Sequence, residues 1–200
     1  MKSQNHKSFL TGAALVIVSL ACALGTPAPT AAPTLLPPTS TLLPPPPTQT
    51  PFPWSQVDLD SVLIAAGDMP GGLLGTFMQK GTPPGDMFDG LPISENTATR
   101  YFEKAQSSAF AVVFLYPDET NIQMAYDKFL DKLGSDAKEL SDIGNEASSV
   151  VTEGDFKFAD LVFIRCHSVV FIRITGYADK DDIEVYAKNL DAMLAEVVCP

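Results

Sequence analysis

From residue 57 onward, polar and apolar positions follow two alternating periods, one near 3.6 and one near 2. Leu59, Val62, Leu63 and Ala66 share one helical face behind Asp58, whose carboxylate can accept from the first unpaired amides. Gly67 closes that helix, and Asp68-Met69-Pro70-Gly71-Gly72 reads as a turn. A strand over 73–79 leads into a long loop, 80–96, punctuated by Gly81, Pro83, Pro84, Gly85, Gly90 and Pro92. Strands over 97–104 and 108–116 follow, with a turn near Gln106-Ser107. The second carries AFAVVFLY, apolar on both faces, which predicts a central strand covered on both sides.

Pro117-Asp118 ends that strand and caps a helix whose buried stripe is Ile122, Tyr126, Phe129, Leu130 and Leu133, stopped by Gly134. Three further strands are predicted over 147–153, 159–165 and 169–175. Asp179 opens a last helix, with Asp181 and Asp182 in its first turn and Ile183, Tyr186, Leu190, Leu194 and Val197 facing inward. The order αβββαβββα predicts a single α+β domain over 57–200, an antiparallel sheet packed with helices. Val112-Val113-Phe114 and Val169-Val170-Phe171 each precede a helix, a pattern that internal duplication or convergent strand-to-helix patterning would both produce.

The preceding residues obey a different rule. Lys2, His6 and Lys7 form a short basic region before an uncharged apolar run over 9–21, FLTGAALVIVSLA. The run is shorter than the ~20 residues of a bilayer span and suits the apolar region of a signal peptide over 1–21. Ala21-Cys22-Ala23 offers a simple cleavage site, and an uncleaved anchor is a further route. Leu20-Ala21-Cys22, with the basic and apolar regions before it, resembles the end of a bacterial surface lipoprotein signal. The family pattern has Leu three residues before the cysteine, where Ser19 stands here. That resemblance covers residues 1–56 and implies lipidation of Cys22. Residues 23–56 lack charge and hold 11 of the 17 prolines, with threonines between them. Such a segment excludes helix and sheet and predicts an extended spacer, so 22–56 reads as lipid-attachment site and stalk.

Charge narrows the partners. All 24 acidic residues lie at Asp58 or beyond, against 11 basic ones there, a formal −13 for 57–200. A domain that acidic repels nucleic acid, so none is expected as a partner. Of the three cysteines, lipid on Cys22 leaves Cys166 and Cys199. Cys166 sits at the tip of the last predicted hairpin. A strand of roughly seven residues (~23 Å) and a returning helix of roughly 18 residues (~27 Å) bring Cys199 back to that tip, so a Cys166–Cys199 disulfide is expected in an oxidising compartment.

Candidate chemistry is sparse. His167 is expected as an exposed turn residue rather than as the partner of a nucleophilic Cys166. Gly67, Gly71, Gly72 and Gly75 follow a helix and precede a strand, the wrong order for a phosphate loop. Asp86/Asp89 and Asp179/Asp181/Asp182 do not predict a metal site, and no cofactor is expected. Arg100, Arg165 and Arg173 all fall on strands, where they could bind a small anion or pair with acids such as Glu103 or Glu153. Met87, Phe88, Leu91 and Ile93 on the long loop could face a partner or fold back over the sheet.

The expected function is therefore a non-catalytic, extracytoplasmic binding domain, anchored to the outer face of a bacterial membrane or secreted if the lipid signal is unused. Its expected partners are the membrane, through the lipid or an uncleaved anchor, and an envelope protein or small anionic ligand. A surface hydrolase using paired carboxylates and a structural envelope protein are the alternatives.

Overall fold

The computed structural model describes residues 52–152, 157–176 and 180–199. Asp58 accepts from the Ser61 amide at 3.1 Å and starts helix α1 (Leu59–Ala65). Asp118 does the same for Asn121 at 2.8 Å and starts α2 (Glu119–Leu133). The strands are β1 (Leu74–Lys80), β2 (Asn96–Lys104), β3 (Ser107–Leu115), β4 (Lys138–Glu139), β5 (Glu146–Thr152), β6 (Phe158–Arg165) and β7 (Ser168–Thr175). The last helix is α3 (Lys180–Val198); Asp179, expected to open it, lies outside the described residues.

All seven strands form one antiparallel sheet in the order β1-β2-β3-β7-β6-β5-β4. The fold is the predicted α+β class. The short β4 was missed, because two charged residues carry no period-2 pattern. Alternation sends each strand's side chains to two cores. On one face Phe102, Val113, Phe163 and Val170 pack against α1 and α3; on the other Phe114, Val162 and Phe171 pack against α2. β3 therefore has apolar cover on both sides, as its sequence requires.

Two helix details differ from the periodic reading. Leu130 is only half-buried and Ala125 takes its place in the α2 stripe. Val197 is 38% exposed while Val198 is fully buried, so the α3 stripe runs Ile183, Tyr186, Leu190, Leu194, Val198. Spacings of three and four residues keep that line on one side of a 3.6-residue helix.

The two Val-Val-Phe segments meet at the middle of the sheet. Val112 pairs with Phe171, Val113 with Val170 and Phe114 with Val169, a local two-fold arrangement about the sheet normal. The symmetry stops at the strands: α2 follows β3 onto one face and α3 follows β7 onto the other. A two-fold normal to the sheet would put both helices on one face, so strand patterning alone explains the repeated motif.

Candidate functional site

The long loop after β1 folds back over the α2 face of the sheet. Phe88 is its anchor. Its ring centroid lies 6.0–6.3 Å from those of Phe110, Phe114, Phe129 and Phe171. Phe129 and Phe171 stack behind it at 4.9 Å. Spacings of this kind suit the edge and offset geometries that aromatic rings prefer. Pro83 is buried as well. From the end of α2, Lys132 Nζ donates to the carbonyl oxygens of Asp86, Met87 and Asp89 at 2.5, 2.6 and 3.3 Å. The loop is thereby fastened at its middle by an aromatic plug and a lysine clamp.

Between this fastening and the ends of β1 and β2 a cleft of about 520 Å³ stays open. Phe88 and Phe114 form its floor, and Leu91, Pro92 and Ile93 form an apolar lip. Ile93 is 94% exposed at the mouth. The opposite wall is polar: Lys80 at the end of β1, Thr82 just beyond it, and Asn96 and Thr97 from the start of β2. Ser94 Oγ and Thr97 Oγ1 share a hydrogen bond at 2.5 Å. Buried Tyr116 supports the lip by donating to the Pro92 carbonyl at 3.4 Å; burial raises its phenol well above the ordinary value, which keeps the donor protonated. The cleft thus combines an apolar body with a few hydroxyl and amide groups, the usual make-up of a small binding site.

Of the residues singled out on the loop, Phe88 is buried and Met87 is half-buried against the α2-side core, while Leu91 and Ile93 border the cleft. The loop both caps the sheet and presents a surface. The three strand arginines do not come together. Arg100 lies on the α1 face, where it donates to the carbonyls of Leu63 and Gly67 and to Asp68, each at 2.7 Å. It caps the negative end of α1 from outside that helix. Arg165 grips Asp191 of α3 with two donors, and Arg173 grips Asp160 of β6 on the opposite face at 2.5–2.6 Å. Each guanidinium is thus engaged with an aspartate within the domain. Glu103 is not among these partners, and Glu153 lies outside the described residues.

The β6–β7 turn gathers the two ends of the domain. Cys166 and Cys199 are joined in a disulfide with their Cα atoms 5.4 Å apart, a separation typical of such bonds. The next residue, His167, is half-buried rather than exposed. Its ring packs against Trp54 at a tilt, with centroids 4.3 Å apart, and its Nδ1 lies 3.2 Å from the Tyr116 carbonyl oxygen. Trp54 is 6% exposed within a short 3-10 turn (Trp54–Gln56), and the Phe52 ring packs against it at a tilt, with centroids 4.3 Å apart. Asn96 Nδ2 donates to the Val57 carbonyl at 2.8 Å and to that of Trp54 at 3.4 Å. The packed structure therefore begins before residue 57, and Asn96 joins its first turn to the cleft wall. An aromatic at the end of a proline-rich segment was the signal for this docking.

A second cavity, of about 320 Å³, lies beside α2 and β5. Tyr126 and Ser148 share a buried hydroxyl pair there at 3.3 Å, and Glu139 and Glu146 stand exposed at its border. Among the described residues no group of three or more His, Cys, Asp or Glu side chains is placed to hold a metal ion, and no helix is long and apolar enough to cross a membrane.

No family model matches this chain, and no curated protein matches it. Among solved structures, the extracellular domain of PknH from Mycobacterium tuberculosis is similar over 70% of this chain and 92% of that chain, with 10% sequence identity and a TM-score of 0.45.

Proposed function

We propose that this chain is an exported, lipid-tethered binding domain whose site is the cleft between the 81–95 loop and the adjoining ends of β1 and β2. The observation that carries the reading is the cleft itself: an open, apolar-floored cavity held in place by Phe88 and Lys132. A binding site needs such a rigid frame, since ordering a loose loop on contact subtracts from affinity. The basic and apolar N-terminus, the uncharged proline-rich segment and the cystine at the β6–β7 turn all suit a protein made for an oxidising compartment. A hydrolase is less well supported. Glu95 is the one carboxylate among the residues lining this cleft, and Glu139 and Glu146 at the smaller cavity are both open to solvent. Acid–base work by two carboxyls requires environments that differ.

Site-specific photocrosslinking in living cells tests the cleft. A benzophenone side chain at Ile93 should give a discrete adduct, and Leu91→Asp in the same chain should abolish it. The same group at Val151, exposed on β5 away from the cleft, should give no such adduct. Identical adducts from both positions, or an Ile93 adduct indifferent to Leu91→Asp, would remove the cleft as the site.

A further inference from the structure

The cleft does not stand alone. Lys80 at the end of β1 and Gly81 and Thr82 just beyond it line its wall, and β1 is the terminal strand of the sheet, with no strand on its outer side among the described residues. Most edges of this length are protected by bulges, prolines or charges, lysine above all, and Lys80 supplies one such charge at the end of β1. Here the one irregularity, between Gly75 and Phe77, sits at the far end of β1 from the cleft. Phe77 to Lys80 remain in regular register with Tyr101 to Ala98. Phe77 is 53% exposed and stacks on Tyr101 at 4.2 Å, so the regular stretch also offers apolar surface. At its other edge the sheet ends in β4, only two residues long.

Charge selects what can approach. Residues 57–200 carry 24 acidic against 11 basic side chains. Of the cations nearest the cleft, Lys132 is engaged with the loop carbonyls, Lys80 is a largely exposed surface cation with Asp60 at 3.7 Å, and the Lys128 ammonium lies beside Gly90. The three arginines hold Asp68, Asp191 and Asp160. A small anion therefore finds net repulsion and no vacant guanidinium. A cation finds attraction over the length set by ionic screening.

Resting on the reading of the cleft as the binding site, we infer that its occupant is an extended, basic polypeptide segment that pairs with the outer edge of β1 and places one apolar side chain in the cleft. Strand addition supplies main-chain hydrogen bonds, and the pocket at the strand's end supplies selectivity. Exposed Glu95 at the cleft wall lies within reach of a basic flank.

The test uses the full chain in non-ionic detergent and a fluorescein-labelled nonapeptide of alternating Lys and Thr with a central Phe, followed by anisotropy. Binding is expected, and replacing every Lys by Glu, or the Phe by Ser, should weaken it about tenfold or more. N-methylation of the amides along one edge of the peptide should do the same, while methylation along the other should not. The deciding variant is Ile93→Asp. It adds a negative charge, so diffuse attraction would strengthen binding, whereas loss of an apolar lip weakens it. Unchanged or tighter binding by Ile93→Asp, equal binding of an all-Ser analogue of the lysines, or indifference to both N-methylation patterns would each overturn the inference. An Ile93 photoadduct in cells alongside failure of every peptide would leave the cleft as the site and reject this class of occupant.

Discussion

Replacing Arg173 by Met should destabilise the domain by about 3–5 kcal/mol, because it strands a buried charge. Asp160 is 3% exposed, and Arg173 holds both of its oxygens from the neighbouring strand. The guanidinium carbon also lies 5.1 Å and 5.7 Å from the Phe158 and Phe171 ring centroids, so the loss includes these cation–π contacts, and the Asp160→Asn rescue isolates the part due to the carboxylate. Burial pushes the Asp160 carboxyl above the ordinary range, and the Arg173 guanidinium pulls it partly back. A carboxyl whose folded-state value is raised holds its proton more tightly when folded. Its contribution to stability is therefore greatest at low pH and declines as pH rises from the unfolded value of about 3.9 through the folded one. Without Arg173 the opposing pull is gone and the decline extends further toward neutrality. Urea denaturation across pH 4 to 8 should show the variant falling furthest below wild type at neutral pH, with the gap narrowing toward pH 4. Adding Asp160→Asn to Arg173→Met should recover much of the loss. A pH-independent gap that Asp160→Asn does not reduce would show that the pair matters only as packing.

Removing the Cys166–Cys199 bond should cost about 3–4 kcal/mol by the chain-entropy model, given a loop of this size. The residues are 33 apart in sequence, and the bond closes α3 onto the β6–β7 turn. Arg165 and Asp191 fasten the same helix about two turns earlier, so the fold itself should survive in the Cys166→Ser/Cys199→Ser variant. Its urea midpoint should fall. Its denaturant slope should rise modestly, since the unlinked unfolded chain exposes more surface. Amide exchange should quicken first at the last turn of α3, where Val198 is buried against the core. A variant with an unchanged midpoint would mean that the bond constrains nothing the fold does not already hold.

The elements governed by local rules were legible in the sequence. Asp58 and Asp118 cap helices where their side chains predict, and AFAVVFLY lies inside a sheet covered on both faces. What escaped depends on residues brought together from afar. The sheet order puts β3 beside β7, a pairing across more than fifty residues that no local period encodes. The partners of Arg100, Arg165 and Arg173 are three aspartates, two of them outside the strands, whereas cross-strand reasoning pointed to Glu103 and Glu153. The β2–β3 and β6–β7 turns were expected, though both place non-glycine residues, Ala105 and Cys166, at positive φ rather than carrying the Asn-Gly signature of a tight turn. His167 was misread as exposed because its cover comes from Trp54, more than a hundred residues earlier. Of the candidate site, the loop and its apolar residues were visible in the sequence, but the cleft was not. It exists because Phe88 is buried in the core and Leu91 packs partly against it, while Ile93 stays at the surface.

Export and tethering are tested most directly by metabolic labelling with a fatty acid in a bacterial host, followed by isolation of the full chain. The expected result is label on the wild-type protein, recovered with membranes, and its complete loss in Cys22→Ser. Acyl chains bury about 0.8 kcal/mol per CH₂, so the unlabelled variant should also move to the soluble fraction. Absence of label on wild type, or label that survives Cys22→Ser, would contradict the lipid anchor.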